Sequence, residues 1–418
     1  MLVSCAPTPP VRTALQGNLA DLKRDILAAR QSGKLDHDRV VKLARAVGER
    51  ELTSAEGANG ALRVRSLRSC ERPLRAAMEK RIANDDDVAA ELTLILLEAH
   101  AVDGEALLNR NARSPSGAWR AVAARAAVRP IDTDLRRAYY ADPDERVRRA
   151  ALATAHDVRD ARELEALLEV ARLDPDALSQ SLAARAAGAI GGERAVLSLA
   201  DLWARADDAL RIAIVDAWSE PGSFDAGGER ELARAASGTG LAAVSASYAL
   251  SRSGGSQAAV ADARLRQSLS DGSDDEKRLA LSVAPLNAET EAAIAKAARE
   301  ASPELKVAAL TRLSAIPRRR NDALRALREL ASAKPSSEAA AHARDAAVSV
   351  LANAGDTSVA ASQIQNLNSP ELRIRWRAAH ALASLGDYTN AASALADDDA
   401  NLRTDLACSI LARENARR

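Results

Sequence analysis

The segment 374–395, IRWRAAHALASLGDYTNAASAL, contains the pattern that decides the fold. Its first half is a helix-forming run rich in alanine and leucine that begins with Ile374-Arg375 and stops at Gly386, because glycine commonly ends helices. Its second half is a shorter apolar run with the spacing of another helix. The segment 182–202, LAARAAGAIGGERAVLSLADL, has the same plan with a glycine pair at the join. A unit of two short helices therefore occurs more than once.

The opening dyad of this unit, an apolar residue followed by a basic one, recurs along the chain. The clearest copies are Val147-Arg148, Leu210-Arg211, Leu305-Lys306, Ile374-Arg375 and Leu402-Arg403. With weaker copies between them, the mean period is about 32 residues, which is typical of helical repeat proteins. Candidate units extend back to residue 58. We therefore expect about 11–12 repeats in residues 58–418.

Composition agrees with an all-α fold. Hydrophobic residues make up 47% of the 418 residues, but the aromatic residues are only four Trp, four Tyr and one Phe. The core must therefore be built from Ala, Leu, Val and Ile. No alternating strand pattern or Asn-Gly hairpin occurs. Because two alanine-rich helices bury too little surface alone, neighbouring units must stack, and the pattern predicts an α-solenoid. Tetratricopeptide repeats need more bulky aromatic residues than this chain has.

The two-helix unit resembles the HEAT-like repeat, especially the short type of the phycobilisome lyases, with the closest resemblance in 374–395 and 182–202. This resemblance implies a right-handed superhelix of antiparallel helix pairs. Residues 13–57 form longer, more charged helices outside the repeat register. We interpret them as an N-terminal helical cap that covers the apolar face of the first repeat. A dimerising hairpin is the alternative.

Residues 1–12 form a separate segment. Leu2-Val3-Ser4-Cys5 resembles the lipobox of bacterial lipoproteins, in which the cysteine thiol takes the diacylglyceryl group. The proline-rich residues that follow favour an extended tether. Ala6 resembles the residue found at this position in lipoproteins of the Gram-negative outer membrane. Because the charged and apolar parts of a signal peptide do not precede the box, a chance cysteine is the alternative.

The other two cysteines, Cys70 and Cys408, lie near opposite ends of the expected repeat array. In an elongated array they could not meet, so we expect two free thiols, with Cys408 a small core residue. No two cysteines have the spacing of metal ligands, and we expect no metal site.

The sequence lacks enzyme signatures. None of the five histidines precedes Glu, which excludes the His-Glu iron ligands of the HEAT-repeat hydroxylase that acts on deoxyhypusine. No phosphate-binding glycine loop or nucleophile elbow occurs. A phycobilin-lyase-like enzyme is disfavoured because few aromatic residues are available to hold a tetrapyrrole. The 58 basic and 58 acidic residues cancel, which argues against nucleic acid as a partner. We expect no enzymatic activity and no cofactor.

The basic residues of the dyads have two interpretations. The equivalent positions along the array are Arg148, Arg211, Lys306, Arg344, Arg375 and Arg403. These side chains could pair with acids of adjacent units in a structural ladder, or they could form a basic stripe that binds an acidic partner. The candidate acids are Asp144, Asp208 and Asp275. We favour the structural ladder.

Tryptophan is favoured at protein-binding hot spots, so the four Trp residues are the best candidate anchors. Trp203 and Trp218 have helical spacing from apolar neighbours and are expected in the core. Trp376 lies between Arg375 and Arg377 and is the candidate for an exposed anchor.

The candidate partner-binding residues are therefore Trp376, Arg375, Arg377 and Arg148. The sequence predicts a non-enzymatic protein-binding scaffold that holds a protein partner on the concave face of the superhelix. We expect it in the bacterial cell envelope, as an outer-membrane lipoprotein that meets the membrane only through the lipid on Cys5. A cytoplasmic adaptor of the same fold, without lipidation, is the alternative.

Overall fold

The computed structural model describes residues 9–16, 18–53, 67–84 and 86–417, and these ranges contain helices and no β-strand. The all-α prediction is confirmed. Apart from single turns, the described α-helices are α1 Pro9–Gln16, α2 Leu19–Gln31, α3 His37–Thr53, α4 Glu71–Arg81, α5 Asp87–Glu98, α6 Gly104–Asn111, α7 Gly117–Ala126, α8 Thr133–Tyr139, α9 Glu145–Val158, α10 Leu164–Leu173, α11 Ala177–Ile190, α12 Glu193–Trp203, α13 Asp208–Ser219, α14 Glu229–Ala236, α15 Leu241–Ser253, α16 Ala258–Asp271, α17 Asp274–Val283, α18 Ala288–Glu300, α19 Pro303–Ser314, α20 Pro317–Ser332, α21 Glu338–Asn353, α22 Ala360–Asn366, α23 Leu372–Leu385, α24 Tyr388–Ala391 and α25 Ala400–Arg417. Within the described ranges, no helix is long and apolar enough to cross a lipid bilayer.

Local side-chain chemistry sets where the helices begin and end. The carboxylate of Asp176 accepts a hydrogen bond from the backbone N–H of Ser179 at the start of α11, and Asp207 caps α13 through Leu210 in the same way. These contacts satisfy N–H groups that have no partner within the helix. α23 ends at Gly386, whose φ of 78° lies in the left-handed region. The glycine and aspartate signals of the sequence therefore act as expected.

The chain divides into two compact units. We call residues 1–102 with 324–418 the terminal unit and residues 103–323 the central unit. The terminal unit thus joins both ends of the sequence, and the central unit is one continuous stretch. Because α20 contains the boundary, its first turns belong to the central unit and the rest to the terminal unit.

In the central unit, the first helix of each pair packs against the first helix of the next pair. This succession runs through α7, α9, α11, α13, α15, α17 and α19. The close approach depends on small residues, since a Cβ on Gly188 of α11 would lie 2.3 Å from the Cβ of Ala217 in α13. The alanine-rich composition therefore produces stacked helices, as the repeat pattern predicts.

In the terminal unit, α21, α23 and α25 pack in the same succession, and α25 then packs against α3. α3 also packs against α4, and its contact with α25 was not expected. The interpretation of residues 13–57 as a cap on the first repeat stays a prediction. Leu43 and Val47 of α3 share one hydrophobic core with Leu406 and Ile410 of α25, and all four are fully buried. The N-terminal helix α3 therefore covers the apolar face of α25.

The prediction of free thiols at Cys70 and Cys408 is wrong. The two cysteines form a disulfide, with their Cα atoms 4.9 Å apart and both residues fully buried. The prediction failed because it placed the two cysteines at the separated ends of an elongated array. The packing of α3 and α4 with α25 instead brings them together inside the terminal unit.

The extended tether predicted for residues 1–12 is wrong at its C-terminal end, where the chain is helical from Pro9 onwards. Pro9 begins α1, and proline is compatible with the first helical turn, where the N–H has no helical partner. Ala14 of α1 is fully buried in the core of the terminal unit, which accounts for a packed helix here instead of an extended chain. Residues 1–8, with the proposed lipid attachment site Cys5, lie outside the described residues.

Candidate functional site

The guanidinium of Arg148 in α9 is bonded inside the protein at all three nitrogens. Its Nε and Nη2 donate to the two carboxylate oxygens of Asp174 at 2.8 and 3.1 Å, and its Nη1 donates to the carbonyl of Asp142 at 2.9 Å. Arg148 is 8% exposed. This fork geometry is one that arginine makes well and lysine cannot. The predicted partner-binding role of Arg148 stays a prediction, and the geometry supports a structural one.

Three further arginines make the same set of contacts. In each, Nε and Nη2 donate to a carboxylate and Nη1 donates to the carbonyl six residues earlier. They are Arg120 with Asp142 and Ser114, Arg375 with Asp397 and Ser369, and Arg403 with Glu51 and Asp397. The repetition of this geometry indicates that these residues occupy equivalent positions.

The contacts connect neighbouring positions into ladders. The carboxylate of Asp142 binds Arg120 while its carbonyl binds Arg148. In the terminal unit, Asp397 links Arg375 and Arg403 in the same way. Each aspartate therefore joins two successive arginines through different oxygens.

At the end of the ladder in the terminal unit, the acid comes from the N-terminal helix α3. Nε of Arg403 donates to Oε1 of Glu51 at 2.8 Å, and the two residues are 3% and 4% exposed. Glu51 thus takes the place that an aspartate of a following repeat would hold. Arg148, Arg375 and Arg403 make the intramolecular contacts that the structural interpretation predicts, but with other acids than those expected.

The expected acids have other contacts. Asp144 caps α9 and pairs with Arg146, Asp208 lies 3.9 Å from Arg211, and Asp275 pairs with Arg278. Arg344 pairs with the adjacent Asp345. In three of the four ladder contacts, the acid lies 22 to 26 residues after its arginine in the sequence. A sequence pattern of a few residues cannot specify a partner at this separation.

The ladder contacts shift the ionisation of their carboxylates. Hydrogen bonds from Arg120 lower the pKa of Asp142 below its ordinary value of 3.8, against a smaller opposing effect of burial. Burial acts to raise the pKa of Asp397, but the bonds from Arg375 and the backbone N–H of Asp399 outweigh it and the pKa is lowered. Both groups are therefore held in their charged form.

Trp376 and Arg377, the other two predicted site residues, lie beside Arg375 on α23. Trp376 is half-buried, and its Nε1 donates to Asp405 at 2.9 Å. The same carboxylate lies 2.8 Å from Nε2 of His380, whose ring stacks on Trp376. Arg377 pairs with Asp345. The structure thus brings three of the predicted residues together, and each of their side chains has an intramolecular partner.

The two tryptophans expected in the core differ in burial. Trp218 is 2% exposed, as predicted, whereas Trp203 is half-buried. Their ring centroids are 5.3 Å apart, and the guanidinium of Arg211 lies 5.7 Å from the centroid of Trp203. These tryptophans therefore stabilise the contact between α12 and α13.

A groove of about 580 Å³ in the central unit is the best candidate for a binding site. It is lined by α13, α15, α17 and residues 221–225, and its lining includes the half-buried residues Phe224 and Tyr248. Phe224 is the single phenylalanine of the chain. The two cavities described in the terminal unit have no aromatic residue in their linings. Only in the central groove, among these three, can a bound group stack on aromatic rings.

A kinked turn, Phe224–Gly228, holds Phe224 at the groove, and its backbone leaves the helical conformation at Ala226 and Gly227. We call it the π-helical segment because its ends are joined by the wide hydrogen bond of a π-turn, from the N–H of Glu229 to the carbonyl of Phe224. Within it Gly227 has a φ of 112°, which favours glycine. A Cβ on Gly228 would lie 2.5 Å from the carbonyl oxygen of Trp218, so only glycine fits there. The hydroxyl of Ser223 is buried and donates to the carbonyl of Gly188 at 2.9 Å. These contacts fix the segment against α11 and α13.

The groove carries a charge beside each aromatic ring. Asp225 follows Phe224 directly, and the guanidinium of Arg252 lies 5.5 Å from the ring centroid of Tyr248. A third charge, Asp216, accepts a hydrogen bond from Nε of Arg185 at 2.9 Å. The groove therefore combines apolar surface with charges of both signs, a composition typical of protein-binding sites.

The chain has been compared with known proteins by sequence. No protein-family model matches the chain, and no curated protein matches it. Over the described residues, no cluster of three or more His, Cys, Asp or Glu side chains is placed to hold a metal ion.

Phe224 and Tyr248 were not among the residues predicted from the sequence. By itself, the glycine pair Gly227-Gly228 indicates only a turn or the end of a helix. The available signal was the chain's single phenylalanine inside an interrupted helix, in the segment PGSFDAGG at 221–228. A large aromatic residue beside helix-breaking glycines is more informative in a chain otherwise so poor in aromatic residues.

Proposed function

We propose that this chain is a non-enzymatic scaffold that binds an extended segment of a partner protein in the groove of Phe224 and Tyr248. The observation that carries the proposal is that two half-buried aromatic residues line one groove, one of them held by the tightly packed π-helical segment. Rigid aromatic side chains gain contact area at low entropic cost and are enriched among binding hot spots.

We further propose that the fold is a HEAT-like α-solenoid, a right-handed superhelix of about 11–12 two-helix repeats. Two observations support this proposal. The first helices of successive pairs pack on one another within each unit, and the arginine ladder repeats one contact geometry at four positions. Such a fold provides the grooves between successive helices that scaffolds use.

The proposed location is the bacterial cell envelope, with an outer-membrane anchor at Cys5. The Cys70–Cys408 disulfide supports a compartment outside the cytoplasm, because disulfides persist in oxidising compartments and are rare where thiols are kept reduced. This observation favours the envelope over the alternative of a cytoplasmic adaptor.

A displayed library of random peptides tests the binding function. The full chain is used as the bait, and every selected peptide is then tested for binding to an Ala249→Trp variant. Ala249 lines the groove, so a tryptophan at this position fills part of its volume. We expect peptides that bind the wild-type chain and lose at least about tenfold in affinity for the filled variant.

Leu197→Trp serves as the matched control, because Leu197 is 45% exposed in the same unit and does not line the groove. This variant should bind the selected peptides as the wild type does. Peptides that bind all three proteins equally, or no peptide at all, would contradict the proposed function. Circular dichroism of both variants shows whether each keeps its helical fold.

The location is tested separately, by expressing the gene with its upstream in-frame region in a bacterial host and measuring the mature N-terminus by mass spectrometry. One diacylglyceryl group and one amide-linked chain on Cys5 are expected, and Cys5→Ala should carry neither. A soluble protein with an unmodified start would refute the anchor and favour the cytoplasmic adaptor.

A further inference from the structure

Two of the three charges in the central groove are not neutralised by an ion pair with any described residue. Asp216 is bonded to Arg185, but Asp225 is exposed on the π-helical segment, and Arg252 contacts the ring of Tyr248 instead of a carboxylate. In the free protein water solvates both charges. A partner that covers the groove removes this water, so an uncompensated charge would oppose binding.

The unpaired charges have a fixed order relative to the aromatic rings. Asp225 is adjacent to Phe224 in the sequence, and Arg252 lies one helical turn after Tyr248 on α15. Each ring therefore has its own charge beside it, negative at Phe224 and positive at Tyr248. Leu279 and other apolar side chains also line the groove.

We infer that the groove selects a protein segment in which a large apolar side chain is flanked by a basic residue on one side and an acidic residue on the other. The apolar side chain packs between Phe224 and Tyr248, the basic group pairs with Asp225, and the carboxylate pairs with Arg252. This inference rests on the proposed function, since it names the chemistry of the segment that the groove binds. Complementary charges fix the orientation of the segment and exclude segments of one charge sign.

Single charge reversals in the groove test this inference. The peptide library is selected in parallel against the wild-type chain, Asp225→Lys and Arg252→Glu. The wild type should select peptides with one basic and one acidic residue around a large apolar one. Asp225→Lys makes both groove charges positive and should select peptides with acidic residues on both sides. Arg252→Glu should select peptides with basic residues on both sides.

Affinities are then measured by fluorescence anisotropy with one wild-type-selected peptide. Asp225→Lys should weaken its binding at least about tenfold, and replacing the basic residue of the peptide by Glu should restore binding to that variant. Asp201→Lys is the matched control, because Asp201 is exposed on α12 and does not line the groove. This control should leave the affinity unchanged within about twofold.

The outcomes separate this inference from the proposed function. If peptides bind in the groove but neither reversal changes their charge pattern or affinity, the assigned chemistry is wrong while the binding function stands. If no peptide distinguishes the wild type from Ala249→Trp, the proposed function fails and this inference fails with it.

Discussion

Arg148 and Asp174 show, at the scale of single residues, why the arginine ladder is difficult to alter. Their side chains are 10% and 4% exposed, so little water reaches either charge and each charge is stabilised mainly by the other. Removing only one partner of such a pair leaves a buried charge uncompensated. Arg148→Met should therefore lower the free energy of unfolding by about 3 kcal/mol, measured by urea denaturation.

The control for this prediction is Arg146→Met in the same helix. Arg146 pairs with Asp144 but is 45% exposed, so its loss should cost less than about 1 kcal/mol. The double variant with Arg148→Met and Asp174→Leu should recover part of the loss, because no unpaired charge is then left. Equal effects of the two single arginine variants would contradict the structural role of Arg148.

Arg159 ends α9 with a φ of 57°, in the left-handed region that costs a non-glycine residue about 1 kcal/mol. Arg159→Gly should therefore raise the free energy of unfolding by about 0.5–1 kcal/mol relative to Arg159→Ala. Both variants lose the ion pair with Glu220, so the comparison isolates the backbone effect. Equal midpoints of thermal unfolding for the two variants would refute the assigned strain.

At the residue scale, the sequence was sufficient to predict that Arg148, Arg375 and Arg403 are equivalent, because the dyad pattern repeats locally. It was not sufficient to identify Asp174, Asp397 and Glu51 as their acids. These acids lie outside the helix that carries the arginine, and many other carboxylates compete for the same assignment in a chain with 58 acidic residues.

At the scale of the elements, the π-helical segment Phe224–Gly228 connects packing to binding. Gly228→Ala would force a Cβ to within 2.5 Å of the Trp218 carbonyl oxygen, so the segment must move away from α13. We expect this variant to lose about 1–3 kcal/mol of stability and to bind groove-selected peptides about tenfold more weakly. Urea denaturation and fluorescence anisotropy measure the two effects.

Gly222→Ala, two residues before the π-helical segment, is the matched control. Its nearest described neighbour would lie 3.6 Å from the new Cβ, an ordinary contact, so stability should change by less than about 1 kcal/mol. If Gly228→Ala binds the peptides as the wild type does, the π-helical segment does not position Phe224 for binding.

The helices themselves were largely predictable because apolar spacing, aspartate caps and glycine stops are local signals. The interruption at Phe224–Gly228 was not predictable in the same way. Its conformation depends on contacts with Gly188 and Trp218, which belong to earlier helices. Tertiary packing here overrides the local helical pattern.

At the scale of the whole molecule, the lowered pKa values of Asp142 and Asp397 make stability depend on pH. Because their pKa values in the folded state lie below 3.8, these carboxylates contribute stability that is complete at neutral pH. This contribution is lost as pH falls from about 4 through the lowered pKa. We expect the midpoint of urea unfolding to decrease steeply below about pH 4. In the double variant Arg120→Met with Arg375→Met, the urea midpoint should fall less between neutral pH and acid pH than it does in the wild type. The same dependence of the midpoint on pH in both proteins would contradict this account.

The disulfide should stabilise the terminal unit by about 2–5 kcal/mol, because it joins residues separated by 338 positions in the sequence. Cys70→Ala with Cys408→Ala should therefore increase hydrogen exchange in α3 and α25, measured by mass spectrometry. Cys5→Ala is a cysteine variant that leaves this bond intact and should not change exchange in these helices. Unchanged exchange in the double variant would show that the core alone holds the terminal unit together.

The pairing of the two chain ends was the largest feature that the sequence did not predict. Helix spacing is visible in a window of a few residues, whereas the contact of Glu51 with Arg403 joins positions 352 residues apart. A repeat pattern also suggests an open array, because in such arrays each unit contacts only the units next to it in the sequence.

The joining of the first and last helices in one core has a consequence for synthesis. The ribosome makes the chain from the N-terminus, so α1 to α5 are complete long before α25 exists. The central unit is a continuous stretch and can bury its own helices as they emerge. The terminal unit must wait for the last residues of the chain, and only then can Cys70 meet Cys408. A chain that stops early therefore keeps Cys70 unpaired and the apolar face of α3 uncovered, which marks it as unfinished to chaperones and proteases.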